Sequence, residues 1–145
     1  MLAPARDLDC GVAAIDHGAD SVYIGGPKFG ARAAAANSLE DIEELVSHAH
    51  LFGVRVYVTL NTIFADDQLK EAVRLCHQLG DIGVDALIIQ DVGLLECELP
   101  PIPLHSSTQM NNRTVAKVRF LEKVGFRQIV LARELGLDQI RQIRA

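Results

Sequence analysis

One pattern recurs along the chain and constrains its fold more than any other feature: a glycine, a short link, an apolar run and a polar end. Gly83-Val84-Asp85-Ala86-Leu87-Ile88-Ile89-Gln90-Asp91 is the clearest copy. Ala86 to Ile89 is apolar throughout, as expected of a strand buried on both faces in a parallel sheet covered by helices; a sheet with one wet face would alternate. Gly18–Gly25, Gly53–Asn61 and Gly125–Glu134 repeat the plan, with their glycines roughly 30 to 40 residues apart, the length of a βα unit.

The segments between these runs read as helices. Asp7 can cap one carrying Leu8, Val12 and Ile15 on one face. Ser38 with Asp41 resembles a capping box ahead of the stripe Leu39, Ile42, Leu45, Val46, Ala49 and Phe52. Asp66-Asp67 is expected to cap a helix with Leu69, Ala72, Val73, Cys76 and Leu79 inward, and Val92 to Glu98 a short helix stopped by Pro100, Pro101 and Pro103. A helix from about Thr114 turns Val115, Val118 and Leu121 inward. The last turns Leu137, Ile140 and Ile143 inward, with Asp138 near its start and Arg141 and Arg144 near its end, as the helix dipole prefers. Met1 to Ala5 reads as the first strand and Gln128 to Leu131 as the sixth. The polar stretch around His105 takes the place of the fifth, ending at about Ser106 with Ser107 to Gln109 turned out at the open end.

The expected fold is therefore α/β: an incomplete TIM-type (β/α) barrel of about six parallel βα units in one domain, truncated before closure, since such a barrel needs eight. Strand order 1-2-3-4-5-6 would mark the barrel; a doubly wound sheet would permute it. Open edges at the first and sixth strands predict self-association or edge cover. With 145 residues and 49% hydrophobic content the chain can bury a substantial core. Its net charge of −5 lacks the basic stripe of a self-sufficient nucleic-acid binder. Cys10, Cys76 and Cys97 are few, odd in number and widely spaced, which predicts reduced thiols in a cytoplasmic protein. No apolar run reaches membrane-spanning length, and no basic region precedes Met1-Leu2-Ala3-Pro4 as a signal peptide would require.

In parallel α/β folds ligands sit beyond the carboxyl ends of the strands. That rule brings Asn61, Gln90, Asp91, Thr108, Gln109, Arg133 and Glu134 together, with Tyr23 and Arg32 arriving from the second unit. Amides and hydroxyls of this kind recognise a base edge or a polar small molecule, and arginines hold carboxylate or phosphate. A structural alternative is an ion-pair ring of Arg133, Glu134 and Asp91 at the mouth. The Gly25–Arg32 loop lacks phosphate-loop spacing and reads as a rim loop in which Arg32 could hold an anion. His48, His50 and His77 read as surface residues. His105 and Ser106 are adjacent and point to opposite faces of a strand; His105 and Ser107 share a face but lack a third orienting group. No His-Glu-x-x-His zinc pattern is present. No catalytic residue is assigned.

Leu2-Ala3-Pro4-Ala5, Gly18 through Gly26, Phe29-Gly30-Ala31-Arg32, Ala86 through Asp91, Ser107-Thr108-Gln109 and Leu131-Ala132-Arg133-Glu134-Leu135 together resemble the amino-terminal region of the peptidase U32 (collagenase-like) family, across essentially the whole chain. Pro4-Ala5-Arg6-Asp7, Ile24-Gly25-Gly26-Pro27 and Gln128 through Glu134 are most similar to the branch that hydroxylates a cytidine of bacterial 23S ribosomal RNA. The resemblance implies a parent enzyme that forms 5-hydroxycytidine with prephenate and a 4Fe-4S cluster, with Arg32 or Arg133 as carboxylate anchor. It also implies that the cluster cysteines and last barrel strands lie outside this chain, since Cys10, Cys76 and Cys97 match none of them. This chain alone would then carry no cofactor and no activity. Collagenase-like peptidase is the rival activity, and a non-catalytic barrel fragment the third reading.

Overall fold

The computed structural model describes residues 1–30 and 37–144. Six strands, β1 (Leu2–Ala5), β2 (Ser21–Gly25), β3 (Arg55–Leu60), β4 (Ala86–Ile89), β5 (Leu104–Ser106) and β6 (Gln128–Ile129), form one parallel sheet in the order β1-β2-β3-β4-β5-β6. That order is the one the barrel requires. Helices α1 (Leu8–Asp16), α2 (Leu39–Leu51), α3 (Asp66–Ile82) and α4 (Val115–Lys123) connect the strands, and α5 (Leu137–Arg144) follows β6. A 3-10 turn, Val92–Glu96, stands where a helix would join β4 to β5. The result is a half-barrel.

The recurring glycine has a single structural cause. Gly18, Gly53, Gly83 and Gly125 all have positive φ, between 68° and 110°, and each follows the helix that precedes a strand. Each donates its N–H to the carbonyl three residues back, while the next residue donates five back: Ala19 to Ala14, Val54 to Ala49, Val84 to Leu79 and Phe126 to Leu121, at 3.0–3.1 Å. This is the Schellman helix stop, which turns the chain through a left-handed residue and needs an apolar residue after it. Ala19, Val54, Val84 and Phe126 supply that contact and are all buried. One local rule thus ends a helix and aims the next strand, four times over.

The two faces of the sheet differ. Val22 and Ile24 of β2, Val56, Val58 and Leu60 of β3, and Leu87 and Ile89 of β4 are fully inaccessible and pack in the main core with Ile42, Leu45, Ala72 and Leu79 from the helices. Burying each such Leu, Ile or Val side chain contributes about 1.5–3 kcal/mol. α1 and α2 approach closely at Gly11, where an added Cβ would lie 2.6 Å from Leu45 Cδ1. The other, concave face carries a small cluster of Tyr57, Ala86 and Ile88 with Tyr23 against it, and His105 sets its ring edge-on to Tyr57 at 4.9 Å. β4 is buried at all four positions, as its unbroken apolar run requires.

Several expectations need correction. β6 stops at Ile129: the Val130 N–H still donates to Ser106 O of β5 at 3.2 Å, but its carbonyl is taken by the Asn112 side chain at 2.8 Å. Phe52 is 63% exposed: it follows α2 as its cap residue and rests on His48 instead of the core. α3 is preceded by Ala65, so the Asp66 and Asp67 carboxylates act through the helix dipole, and Gln68 reaches back to accept the Ala65 N–H at 3.0 Å. Only Leu121 of α4 is fully buried, and α5 buries no residue, with Leu137 71% exposed. Among the described residues no helix is long and apolar enough to cross a membrane.

Candidate functional site

A cavity of about 720 Å³ opens at the carboxyl ends of the strands. Its wall is built unit by unit. Pro4, Arg6 and Cys10 come from the end of β1 and the first turn of α1; Tyr23 and Gly25 from β2, with Gly30 beyond it; Thr59 and Asn61 from the end of β3. The loop after β5 supplies Thr108, Gln109, Asn111 and Arg113, and the segment after β6 supplies Ala132, Arg133 and Glu134. Of the candidates named from sequence, Tyr23, Asn61, Thr108, Gln109, Arg133 and Glu134 share this cavity. Arg32 lies outside the described residues.

Gln90 and Asp91 do not line it. The Asp91 carboxylate bonds within the fold: one oxygen accepts Gly93 N–H at 2.8 Å, capping the 3-10 turn, and the other accepts Phe64 N–H at 2.9 Å, tying the β3 loop to the β4 loop. The alternative, an ion-pair ring of Arg133, Glu134 and Asp91, does not form among the described residues. Glu134 instead accepts from Arg113 at 3.0 Å, and among the described residues Arg133 makes no ion pair.

Charge at the mouth runs against the charge of the whole chain. Three arginines, Arg6, Arg113 and Arg133, face the cavity with one carboxylate, Glu134. Arg6 pairs with Asp7 at 2.7 Å, and Asp7 also caps α1 by accepting the Cys10 N–H at 3.0 Å. The Cys10 N–H first and Arg6 second hold the Asp7 carboxyl down, to about 2, and Asp7 in turn raises the Arg6 guanidinium. Arg113 is tied to Glu134. Arg133 is exposed and is the mouth cation with no carboxylate partner among the described residues.

The wall after β5 is fixed by a fully buried amide. Asn112 Nδ2 donates to Ser106 Oγ at 2.9 Å, Ser107 O at 3.0 Å and Val130 O at 2.8 Å, stapling the end of β5 to the end of β6. Ala132 N–H donates back to Asn112 O at 3.2 Å. The Asn112 Oδ1 is buried with no hydrogen-bond partner among the described residues. Rotating the amide by half a turn would set that oxygen against two carbonyls, so the donor arrangement is the physical one. Ser107 caps the turn that follows, its Oγ accepting Gln109 N–H at 3.2 Å.

His105 is buried beneath this wall, and burial pushes its pKa down, so the ring is neutral around pH 7. Among the described residues its ring makes no hydrogen bond to Ser106 or Ser107, both of which have the other partners just given. Cys76 is buried in the helical core; burial first and the Cys97 thiol second push it up to about 11. Among the described residues no group of three or more His, Cys, Asp or Glu side chains is placed to hold a metal.

Sequence reasoning missed Arg6, Cys10, Arg113 and Asn112. Arg6 obeys the rule that found the others, being the first polar residue after β1. Arg113 and Asn112 sit in an irregular loop where no periodicity marks a direction.

Fold and site together define a (β/α) half-barrel with an arginine-bearing mouth sized for a single ligand. The chain belongs to peptidase family U32, whose family model matches residues 6–145. It is 62% identical over 143 residues to the 23S rRNA 5-hydroxycytidine C2501 synthase of Escherichia coli strain K12, covering 99% of this chain and 22% of that protein. It is 33% identical over 148 residues to tRNA hydroxylation protein P of the same organism, covering 99% of this chain and 33% of the relative. Among solved structures, the U32 peptidase Mk0906 superposes with a TM-score of 0.76 at 16% identity, covering 99% of this chain and 63% of that one, which shows the shared fold. The chain thus spans about a fifth to a third of the curated relatives described.

Proposed function

We propose that this half-barrel is the substrate-facing part of an RNA hydroxylase that forms 5-hydroxycytidine in 23S ribosomal RNA. The observation that carries the reading is the 62% identity, over 99% of the chain, to a protein named for that reaction. The mouth chemistry agrees with it: amides and hydroxyls suited to a base edge, and arginines suited to anions.

Hydroxylation replaces the C5–H of cytosine by C5–OH, a two-electron oxidation that needs an oxygen source and an oxidant. Cys10, Cys76 and Cys97 lie on three separate elements, and no ligand set converges among the described residues, so they do not fit the four thiolates of a 4Fe-4S cluster. We assign any such cluster, and the strands that complete the barrel or cover the β1 and β6 edges, to the remainder of the parent or to a second copy. Prephenate, a dicarboxylate, would find its anchor at Arg32 or on the remainder of the parent. Ribosomal RNA as substrate places the activity in the cytoplasm.

The test is nucleoside analysis of 23S ribosomal RNA from a strain lacking the gene. Loss of 5-hydroxycytidine, restored by the intact gene, is expected; an unchanged level overturns the proposal. Peptidase chemistry draws on the names of the family and of some of its members, since among the described residues the buried His105 engages neither neighbouring serine, and release of peptides from gelatin by the purified parent would revive it.

A further inference from the structure

We infer that the mouth takes a single extruded nucleotide, base first, and that Arg133 anchors its phosphate. This rests on the RNA reading above and specifies how that substrate is held. Three observations lead to it. The cavity, about 720 Å³, falls within the range of about 300–1,000 Å³ typical of single small ligands and does not admit a stacked helix. Enzymes that do chemistry on a base must therefore bring it out of its stack.

The lining also differs in exposure: Tyr23 is half-buried, whereas Arg6, Arg113 and Arg133 are exposed. Tyr23 lines the cavity, packed on the Tyr57, Ala86 and Ile88 cluster, and offers a ring on which a base can stack. Thr108 and Gln109 line the same cavity after β5, with hydrogen-bonding groups of the kind that read a base edge. The arginines belong to the rim.

Third, the rim cations are not equivalent. Arg6 is held by Asp7 and Arg113 by Glu134, whereas Arg133 is exposed and makes no ion pair among the described residues. A small carboxylate that enters the cavity whole is best held by a cation inside it. A polymer whose base enters keeps its backbone outside, where an exposed, uncommitted guanidinium meets it and can bind phosphate in a bidentate manner. Arg133 is thereby assigned to phosphate and not to the carboxylate of a co-substrate.

The experiment titrates the complete parent protein with cytidine and with cytidine 5′-monophosphate at low salt. The monophosphate should bind on the order of tenfold tighter. Arg133→Ala should abolish that preference and leave cytidine binding unchanged, with Arg133→Lys between the two. The Tm of each variant, measured beside the titration, separates loss of binding from loss of fold. Equal affinity for the two ligands, or an equal loss of both in Arg133→Ala, overturns the inference. So does displacement of the monophosphate by malonate in wild type but not in Arg133→Ala, which would make Arg133 a carboxylate site. Because binding is read without turnover, a strain that keeps its 5-hydroxycytidine would overturn the proposed reaction while leaving this result to stand or fall on its own.

Discussion

Replacing Asn112 by aspartate tests the staple that holds the mouth together. The amide donates to Ser107 O at 3.0 Å and Val130 O at 2.8 Å in a site closed to solvent. A carboxylate there would face two carbonyl oxygens with no proton between them, and both desolvation and repulsion favour its neutral form. A rise of about 3 units over the ordinary value corresponds to about 4 kcal/mol lost at neutral pH, a large share of a domain's stability. The sign follows from linkage. The folded-state pKa of the new acid is raised, so its penalty is absent below the unfolded value of about 3.9, grows as pH rises above it, and levels off once pH passes the folded value. Urea unfolding of wild type and Asn112→Asp, compared at matched pH from about 4 to 7, isolates this term because other groups cancel in the difference. Asn112→Ala should lose less, about 1–3 kcal/mol for the unpartnered Val130 carbonyl, partly offset by removal of the buried Oδ1. A difference that stays flat with pH, or an aspartate variant as stable as wild type at pH 7, would refute the donor assignment.

The helix stops, the buried histidine and the thiols each yield a further outcome. Gly53→Ala meets nothing within 4 Å of its new Cβ, so its cost is conformational, about 1–2 kcal/mol, and Gly53→Asn should recover part of it; equal midpoints in urea for Gly53→Ala and wild type would count against the left-handed stop. His105 has its pKa lowered by burial, so the unfolded chain binds a proton that the folded chain refuses. Stability should fall as pH drops below about 6.5 and stop falling once the folded ring also protonates, and an NMR titration that puts the ring above its ordinary value would contradict this. Cys76, buried and pushed up to about 11, should be the last thiol alkylated by iodoacetamide at neutral pH, as read by mass spectrometry, with Cys10 at the mouth modified before it.

The fold was legible because its repeat is local. Glycine followed by an apolar residue marks each Schellman stop, and the apolar run after it marks a buried strand, so unit count and strand direction follow from short windows. What failed was everything that depends on neighbours. Phe52 and Leu137 continue helical stripes in sequence, yet they lie where the packed face has ended. β6 has the apolar residues for a longer strand, but the Asn112 amide competes for the Val130 carbonyl. In the site, the strand-end rule found residues that can reach the mouth without saying which are already committed: Asp91 and Arg133 are both strand-end candidates in sequence, and only the Phe64 and Gly93 N–H groups show that the Asp91 carboxylate is occupied.

Net charge misleads for a related reason. An excess of five carboxylates over cations argues against nucleic-acid binding only if charge is spread evenly. Here Asp7 and Glu134 hold Arg6 and Arg113 at the opening, Asp138 is paired with Arg141 away from it, and Arg133 stands at the opening with no carboxylate partner among the described residues. A phosphate responds to charges within about a Debye length, roughly 8 Å at physiological salt. The local field at the mouth, and not the sum over the surface, therefore decides whether an anionic chain can dock. With Arg6 held by Asp7 and Arg113 by Glu134, the charge that the mouth offers to an incoming anion is chiefly that of Arg133, which no carboxylate among the described residues holds.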